Sequence, residues 1–344
     1  SDYSTAGGKL YRDDVCLANF VPKVQGVYRS SPDLQPALVE IAYTVCGHDA
    51  PRTSVVLGRN LRTLDFEALD LACRYEITPS KGRRWVNNYL CGQVANFIVR
   101  GDCGVFLNTS GWHDLPSPAF AAGGKVVGMT PGSAVRLSEG LSSTHLACDD
   151  AVDVNTSVTG LVTAFQRTPE AMVAFSFALF TAIRSLLQRE GLPTNAILYI
   201  AGTQGFGKSQ LAKRYCMLFD DNVRKLPANS FDAGSTFAGI RDALAQQRDM
   251  VVLLDDLCHS SVTSEEANRR KLFEGYPLCD KYYLVWKKTG NHNIEITCTA
   301  GLVVTAEMLP SSASELTRCI LLRLDHQLTR FTPDDRRFAA AVLQ

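Results

Sequence analysis

The sequence predicts an α/β protein: an alternating strand–helix core in its C-terminal half, preceded by a β-rich α+β part. Three observations predict this. The first is Ala201-Gly202-Thr203-Gln204-Gly205-Phe206-Gly207-Lys208-Ser209, a G-x-x-x-x-G-K-[ST] loop between an apolar run at 196–200 and a helix-forming run at 210–215. The second is Met250-Val251-Val252-Leu253-Leu254-Asp255-Asp256, an apolar run that ends in two acids. The third is the alternation of strand-like and helix-like segments from residue 195 onward, the pattern of a layered α/β sheet.

Residues 1–150 read as a β-rich domain. Segments 15–21, 37–45 and 54–57 have strand composition and are separated by Pro, Gly, Ser and Asp. Residues 84–100 read as a helix with Trp85, Tyr89 and Phe97 near one face, and Gly104-Val105-Phe106-Leu107, Gly111-Trp112-His113 and 123–128 as further strands and tight turns. Residues 130–160, rich in Ser, Thr, Gly and Asp, read as a connection. Thr168-Pro169-Glu170 reads as a helix start, with a capping hydroxyl, proline at the first helical position and an acid in the first turn. That helix is expected to reach residue 189 and stop near Gly191 and Pro193, making 151–194 a connector with a buried helix and 195–344 the core. Between the loop and the acids, residues 229–241 read as a polar turn followed by an amphipathic helix.

Composition narrows the class. With 344 residues, 46% apolar and 20% charged, the chain is long enough for two domains and carries no mark of extended disorder. Thirty-five basic and thirty-five acidic residues give zero formal charge, so nucleic-acid binding would rest on local basic features. The eleven cysteines are scattered singly. Cys46-Gly47-His48 and Cys258-His259 come nearest to a cluster but lack partners at zinc-ligand spacing. They read as reduced thiols, and the expected compartment is the cytoplasm. The longest apolar run, 171–183, is interrupted by Ser176 and Thr181 and is too short to span a bilayer. The chain opens at Ser1 and closes soon after its last strand, so it is expected to be a fragment of something longer.

The candidate site gathers around the loop. Backbone N–H groups from Gly202 to Gln210 can curl around phosphate oxygens, Lys208 brings positive charge to the β- and γ-phosphates of ATP, and Ser209 offers a hydroxyl to Mg²⁺. Asp255 is expected in the Mg²⁺ shell, and Asp256 is expected to orient and deprotonate the attacking water. Thr305 ends the next strand, 301–305, where it could touch the γ-phosphate or the water, and Glu307 follows. Arg318, before the strand 319–324, is placed to act on a neighbouring subunit's γ-phosphate, with Arg323 the runner-up. Segments 281–288 and 293–298 read as a hairpin whose Lys287, Lys288 and His292 could contact nucleic-acid phosphates without reading sequence. Arg330, Arg336 and Arg337 read as a solvated basic tail.

Gly202 to Ser209, Asp255-Asp256, the hairpin, Leu302-Val303-Val304-Thr305-Ala306-Glu307 and the Leu-Pro-x-x-x-Ser-x-Leu-x-Arg run at 309–318 together resemble AAA+ ATPases, and more closely the MCM-like replicative helicases of bacterial mobile elements and prophages. The motifs cover 195–324 well. The N-terminal part matches loosely, through Gly111-Trp112-His113. The resemblance implies a three-layer P-loop core, a hexameric or other ring with ATP between subunits, a pore hairpin that tracks single-stranded or forked DNA, and an N-terminal domain that grips or guides it. It also implies that Thr305 is the first sensor and Arg318 the finger. Two departures stand out. The first-sensor position holds threonine, where asparagine is frequent in the family. No second-sensor arginine is evident either, and with 20 residues after Leu324 the usual helical lid or winged helix is expected to be truncated. An AAA+ regulator acting on protein is the alternative, and a monomeric small-molecule kinase a third.

Overall fold

A computed structural model describes residues 3–30, 36–45, 52–66, 77, 82–115, 117–122, 124–129, 134–138, 141, 153–192, 194, 196–219, 230–232, 235, 237–257, 283–287, 293–310, 313–328, 331–332 and 334–343. In chain order the elements are β1 (Tyr3–Ala6), β2 (Lys9–Arg12), β3 (Val15–Ala18), β4 (Phe20–Ser30), β5 (Pro36–Val45), β6 (Arg52–Leu57), a 3₁₀ turn (Gly58–Thr63), α1 (Gly82–Arg100), β7 (Gly104–Leu107), β8 (Gly111–Asp114), β9 (Pro118–Ala122), β10 (Lys125–Val127) and β11 (Val135–Leu137). They continue with α2 (Val154–Arg167), α3 (Pro169–Ala182), α4 (Arg184–Arg189), β12 (Ile197–Gly202), α5 (Lys208–Tyr215), β13 (Ser230–Phe231), α6 (Phe237–Gln246), β14 (Val251–Leu257), β15 (Tyr283–Lys287), β16 (Asn293–Thr297), β17 (Gly301–Ala306), α7 (Ala313–Leu316), β18 (Cys319–Leu324) and α8 (Asp335–Leu343).

Two compact units result: Ser1–Asn108 with Thr130–Ser138, and Thr109–Met129 with Glu139–Gln344. The division therefore differs from the expected break at 150, because Gly111-Trp112-His113 belongs to the second unit.

The first unit holds a mixed sheet in the order β11-β7-β4-β5-β6, antiparallel from β4 to β6 and parallel from β4 to β11, and a β1-β2-β3 meander. Helix α1 lies against this core through Val86, Leu90 and Val94, spaced four apart on one face. The expected aromatic face sits at the flank instead, with Trp85, Tyr89 and Phe97 half-buried. Arg12 stacks over Trp85 at 4.6 Å, and Tyr3 packs on Tyr89 at 5.1 Å.

The second unit is built on a five-stranded parallel sheet in the order β13-β14-β17-β12-β18. β12, β17 and the first four residues of β14 are buried and mostly apolar because helices cover both faces of the sheet there. Alternation divides each strand between two cores. Leu198, Ile200, Val251, Leu253 and Val303 join one core with α2, α3 and α5. Ile197, Tyr199, Val252, Leu254, Leu302 and Val304 join the other with Ile240 and Leu244 of α6. The chain leaves β12 for one side of the sheet and returns to its other side at β18. The order thus reverses at β12, and ligands of open α/β sheets bind outside the carboxyl ends of strands at such a point.

The single helix expected from 168 to 189 is two helices. Thr168 makes no side-chain cap; its N–H closes α2 by bonding Ala164 O at 2.9 Å. At the α3–α4 break, Trp112 Nε1–H donates to the freed Ala182 carbonyl at 2.9 Å. The first turn of α4 is held by Asp249, whose carboxylate accepts from Ser185 N at 2.8 Å, Ser185 Oγ at 2.7 Å and Trp112 N at 3.0 Å. Gly111, at φ +85°, brings its Cα so close that a Cβ would lie 2.5 Å from Arg248 O and from Asp249 Oδ2. The Gly-Trp-His motif is therefore an anchor of the β8-β9-β10 meander on the second unit's core.

The segment after β18 docks on the core through its apolar side chains. Leu328 and Ala339 are buried, Phe331 and Phe338 pack on the same core, and Arg337 is exposed. Arg330 and the Arg336 side chain lie outside the described residues. Asp335, 1% exposed, fastens the start of α8: it accepts from Thr332 N at 2.8 Å and Thr332 Oγ1 at 2.5 Å, and pairs with Arg167 of α2 at 2.6 Å. Burial opposes ionisation of Asp335, but these bonds outweigh it and hold the group below the usual carboxylate range. A carboxylate with a depressed folded value stabilises above its unfolded value, near pH 4, and that contribution is lost as pH falls through the folded value. Asp335→Ala is expected to lower unfolding free energy by about 3 kcal/mol at neutral pH, with the difference from wild type shrinking below about pH 4. Denaturant titration at several pH values measures it, and an unchanged midpoint at pH 7 contradicts the latch.

Candidate functional site

The loop after β12 enters α5 through Gly207, which takes the left-handed φ of +92° at the helix N-cap. A side chain there would be strained and would meet Leu328 O at 3.2 Å, so glycine lets the backbone turn its first helical N–H groups toward the strand ends. Thr203, Gln204, Gly205 and Gln210 are exposed around this turn, and Gly202 and Phe206 are half-buried. Lys208 is 7% exposed. Its Nζ donates to the loop's own carbonyls, Gly202 O at 2.8 Å and Thr203 O at 3.2 Å. An ammonium is thus already held in the curve of the loop, where a phosphate anion would meet it.

Across from α5, the Asp255 carboxylate joins three elements. Oδ1 accepts from Ser209 Oγ and from Thr305 Oγ1, each at 2.7 Å, and Oδ2 accepts from Lys213 Nζ at 2.7 Å. Burial works against ionisation of Asp255. The bonds from Lys213, Ser209 and Thr305, together with the lysine's charge, overcome it and depress its pKa.

Asp256 stands at a bulge. Register runs Leu254–Val304, then Leu257–Ala306, so β14 carries one residue more than β17 over this interval. The surplus is absorbed by Asp256, whose φ of +56° lies in the left-handed region that aspartate tolerates better than most residues. Its side chain is exposed, and its N–H donates to Thr305 Oγ1 at 2.8 Å. Fully buried Thr305 therefore donates to one acid and accepts from the backbone of the next. In this structure the Thr305 hydroxyl clamps both acids.

Five expected residues, Lys208, Ser209, Asp255, Asp256 and Thr305, thus meet at one sheet edge. A carboxylate and a hydroxyl 2.7 Å apart form the hard oxygen set that suits Mg²⁺, and Lys213 already stands there as a cation on the same carboxylate. Arg318 lies elsewhere. Its carbonyl accepts from Ile197 N at 2.9 Å, at the opposite end of β12. Since Ile197 pairs with Cys319 and Gly202 with Leu324, Arg318 is roughly 17 Å down the strand from its own loop. Arg323 pairs with Asp325 at 2.8 Å on the exposed surface. Lys287 ends β15, which pairs antiparallel with β16 from Tyr283–Thr297 to Lys287–Asn293. The Lys287 side chain, Lys288 and His292 lie outside the described residues.

Lys213 went unnoticed in the sequence. The signal was available, because it stands four residues after Ser209 on α5 and so shares its face.

No protein-family model matches the chain, and no curated protein matches it. Its fold is that of a mixed α/β protein already seen in a helicase. The solved SCCmec type IV Cch active helicase aligns with a TM-score of 0.60 at 12% identity, over 99% of this chain and 62% of that one. This chain thus spans about three fifths of that protein. The apo A form of the NrS-1 C-terminal region gives a TM-score of 0.35 at 11% identity over 89% and 62% of the two chains. A ligand-bound JCV helicase gives 0.28 at 12% over 55% and 59%; neither is near enough in geometry to bear on this fold. Among the described residues no helix is long and apolar enough to cross a membrane.

Thr305→Val removes the clamp while keeping the volume. It is expected to destabilise the chain by about 1.5–3 kcal/mol, since it strips a bond from a charged carboxylate and the partner from Asp256 N–H. Thr305→Ser loses only a buried methyl and is expected to lose about 0.8 kcal/mol. Equal unfolding midpoints for the two variants would sink the clamp.

Proposed function

We propose that this chain is the ATP-hydrolysing part of a nucleic-acid motor: an AAA+ DNA translocase resembling the MCM-like helicases of mobile elements, working as a hexamer or other ring. The observation that carries this reading is the meeting of the phosphate loop with the acid strand, seen in the 2.7 Å bond between Ser209 Oγ and Asp255 Oδ1. Loop glycines, an ammonium, a hydroxyl and two carboxylates at the switch point of a parallel sheet are what binding and cleaving a nucleoside triphosphate requires.

Bound Mg-ATP would supply the reactive γ-phosphoryl group and the cation that offsets its charge. This chain's residues supply the rest. Lys208 exchanges its loop carbonyls for phosphate oxygens. Ser209 and Asp255 hold the metal side, and exposed Asp256 orients and deprotonates a water, its direction set by Thr305. Arg318 is too far from its own loop to act there, which supports a role across a subunit boundary. The DNA-directed part of the proposal draws on the fold shared with a helicase and on the β15–β16 hairpin, which carries Lys287 at the end of its first strand.

The test is ATP turnover with and without single-stranded DNA, alongside mass in solution. Wild type is expected to assemble and to hydrolyse faster with DNA. Lys208→Ala is expected to lose nucleotide binding, and Asp256→Asn to bind ATP without turning it over. Arg318→Ala is expected to bind ATP normally and turn over about 10³-fold more slowly. Normal hydrolysis by Lys208→Ala would overturn the site. Turnover indifferent to DNA, and unchanged by replacing Lys287 and Lys288 with alanine, would point to a motor acting on protein.

A further inference from the structure

We infer that Lys213 is an internal counter-cation of the metal site: it keeps the Asp255 carboxylate neutralised until nucleotide arrives, and so makes divalent-metal entry conditional on nucleotide. The inference rests on the proposed nucleotide site and adds a residue to it that the loop motif does not contain.

The geometry is specific. Ser209 and Lys213 are one helical turn apart on α5 and face the same carboxylate, the hydroxyl on Oδ1 and the ammonium on Oδ2, both at 2.7 Å. The side chains of Lys213 and Asp255 are 21% and 14% exposed, so bulk water and salt screen the pair weakly. With Thr305 also on Oδ1, the carboxylate has both charge compensation and a full set of donors. A divalent ion bound to Asp255 and Ser209 would sit close to an ammonium bonded to the same carboxylate, and the two like charges would repel. A bare cation therefore gains little here. A cation that arrives with a triphosphate brings negative charge that offsets the repulsion. The lysine's flexible four-carbon stem then lets the ammonium swing away or share the carboxylate. Lys208 is not free to take this part, since its ammonium is bonded to the loop carbonyls. Lys213 acts through Asp255 and is a positioning residue.

The test uses the full chain without nucleotide and Mn²⁺ as the probe, read by electron paramagnetic resonance. Lys213→Met removes the charge and keeps most of the stem. It is expected to bind Mn²⁺ at least tenfold more tightly than wild type, and the gain is expected to vanish when Asp255→Asn is added. Lys213→Gln, which keeps a donor without the charge, is expected to show the same gain and serves if the methionine variant unfolds on a melting curve. Lys213→Arg is expected to restore weak binding, which a merely structural role would not demand. Mn²⁺ affinity unchanged or weakened in both neutral variants, or a gain that survives Asp255→Asn, overturns the inference. Calorimetric titration of wild type with Mg-ATP is run in parallel. Failure to bind it counts against the proposed nucleotide site, while the nucleotide-free Mn²⁺ comparison still decides what Lys213 does.

Discussion

One carboxylate organises the edge of the parallel sheet where the loop, the acids and β17 meet. Asp255 lies on the interior strand β14 and accepts hydrogen bonds from the first helical turn after the loop, from the last turn of the same helix, and from the neighbouring strand β17. Charge-assisted bonds of this length are among the stronger polar contacts a protein makes, and here they replace the water the group loses on burial. They fix the loop helix against the sheet. Without them the N–H groups of the loop helix and the acids would belong to elements free to shift independently.

The bulge beside Asp255 follows from the same arrangement. A regular β14 would point Asp256 to the face opposite Asp255 and bond its N–H into the ladder. The extra residue turns that N–H to Thr305, leaves the Asp256 side chain in the open, and ties its backbone to the group that also bonds Asp255. Two adjacent acids thereby gain different surroundings: one half-buried and met by three donors, the other exposed and held through its backbone N–H.

A second buried acid does comparable structural work away from the loop. Asp249, at φ +55°, receives Ser185 and Trp112 and joins the β8 meander to the break between α3 and α4. Here burial dominates and pushes the carboxyl's pKa up, against the three donors that hold it. The Arg167–Asp335 pair fastens α8 to α2, and the chain between β18 and α8 passes over the loop, where Leu328 N bonds Phe206 O at 3.0 Å. The loop between β12 and α5 is therefore held by Asp255 on one side and by Leu328, after the last strand, on another.

Much of this was legible from sequence because it is local. The β12 run, the glycine turn, the helix-forming run at 210–215 and the apolar strand before Asp255 announce themselves through periodicity and spacing, and so does the hairpin of β15 and β16. Gly111-Trp112-His113 was visible as a motif, but its place was not, since its partners Ala182 and Asp249 lie 70 and 137 residues away. Thr305 was visible as a polar residue ending a strand. That its hydroxyl clamps both acids depends on β17 lying beside β14 and on a bulge that no propensity records. Lys213 shares a helix face with Ser209 by spacing alone, yet only the folded sheet brings Asp255 opposite both. The sequence by itself determined most strand and helix segments and the glycine turn between β12 and α5, because short-range sterics and burial period decide those. The tertiary structure alone decided which charges face one another, because a carboxylate's partners are chosen by distance in space, and distance along the chain does not encode it.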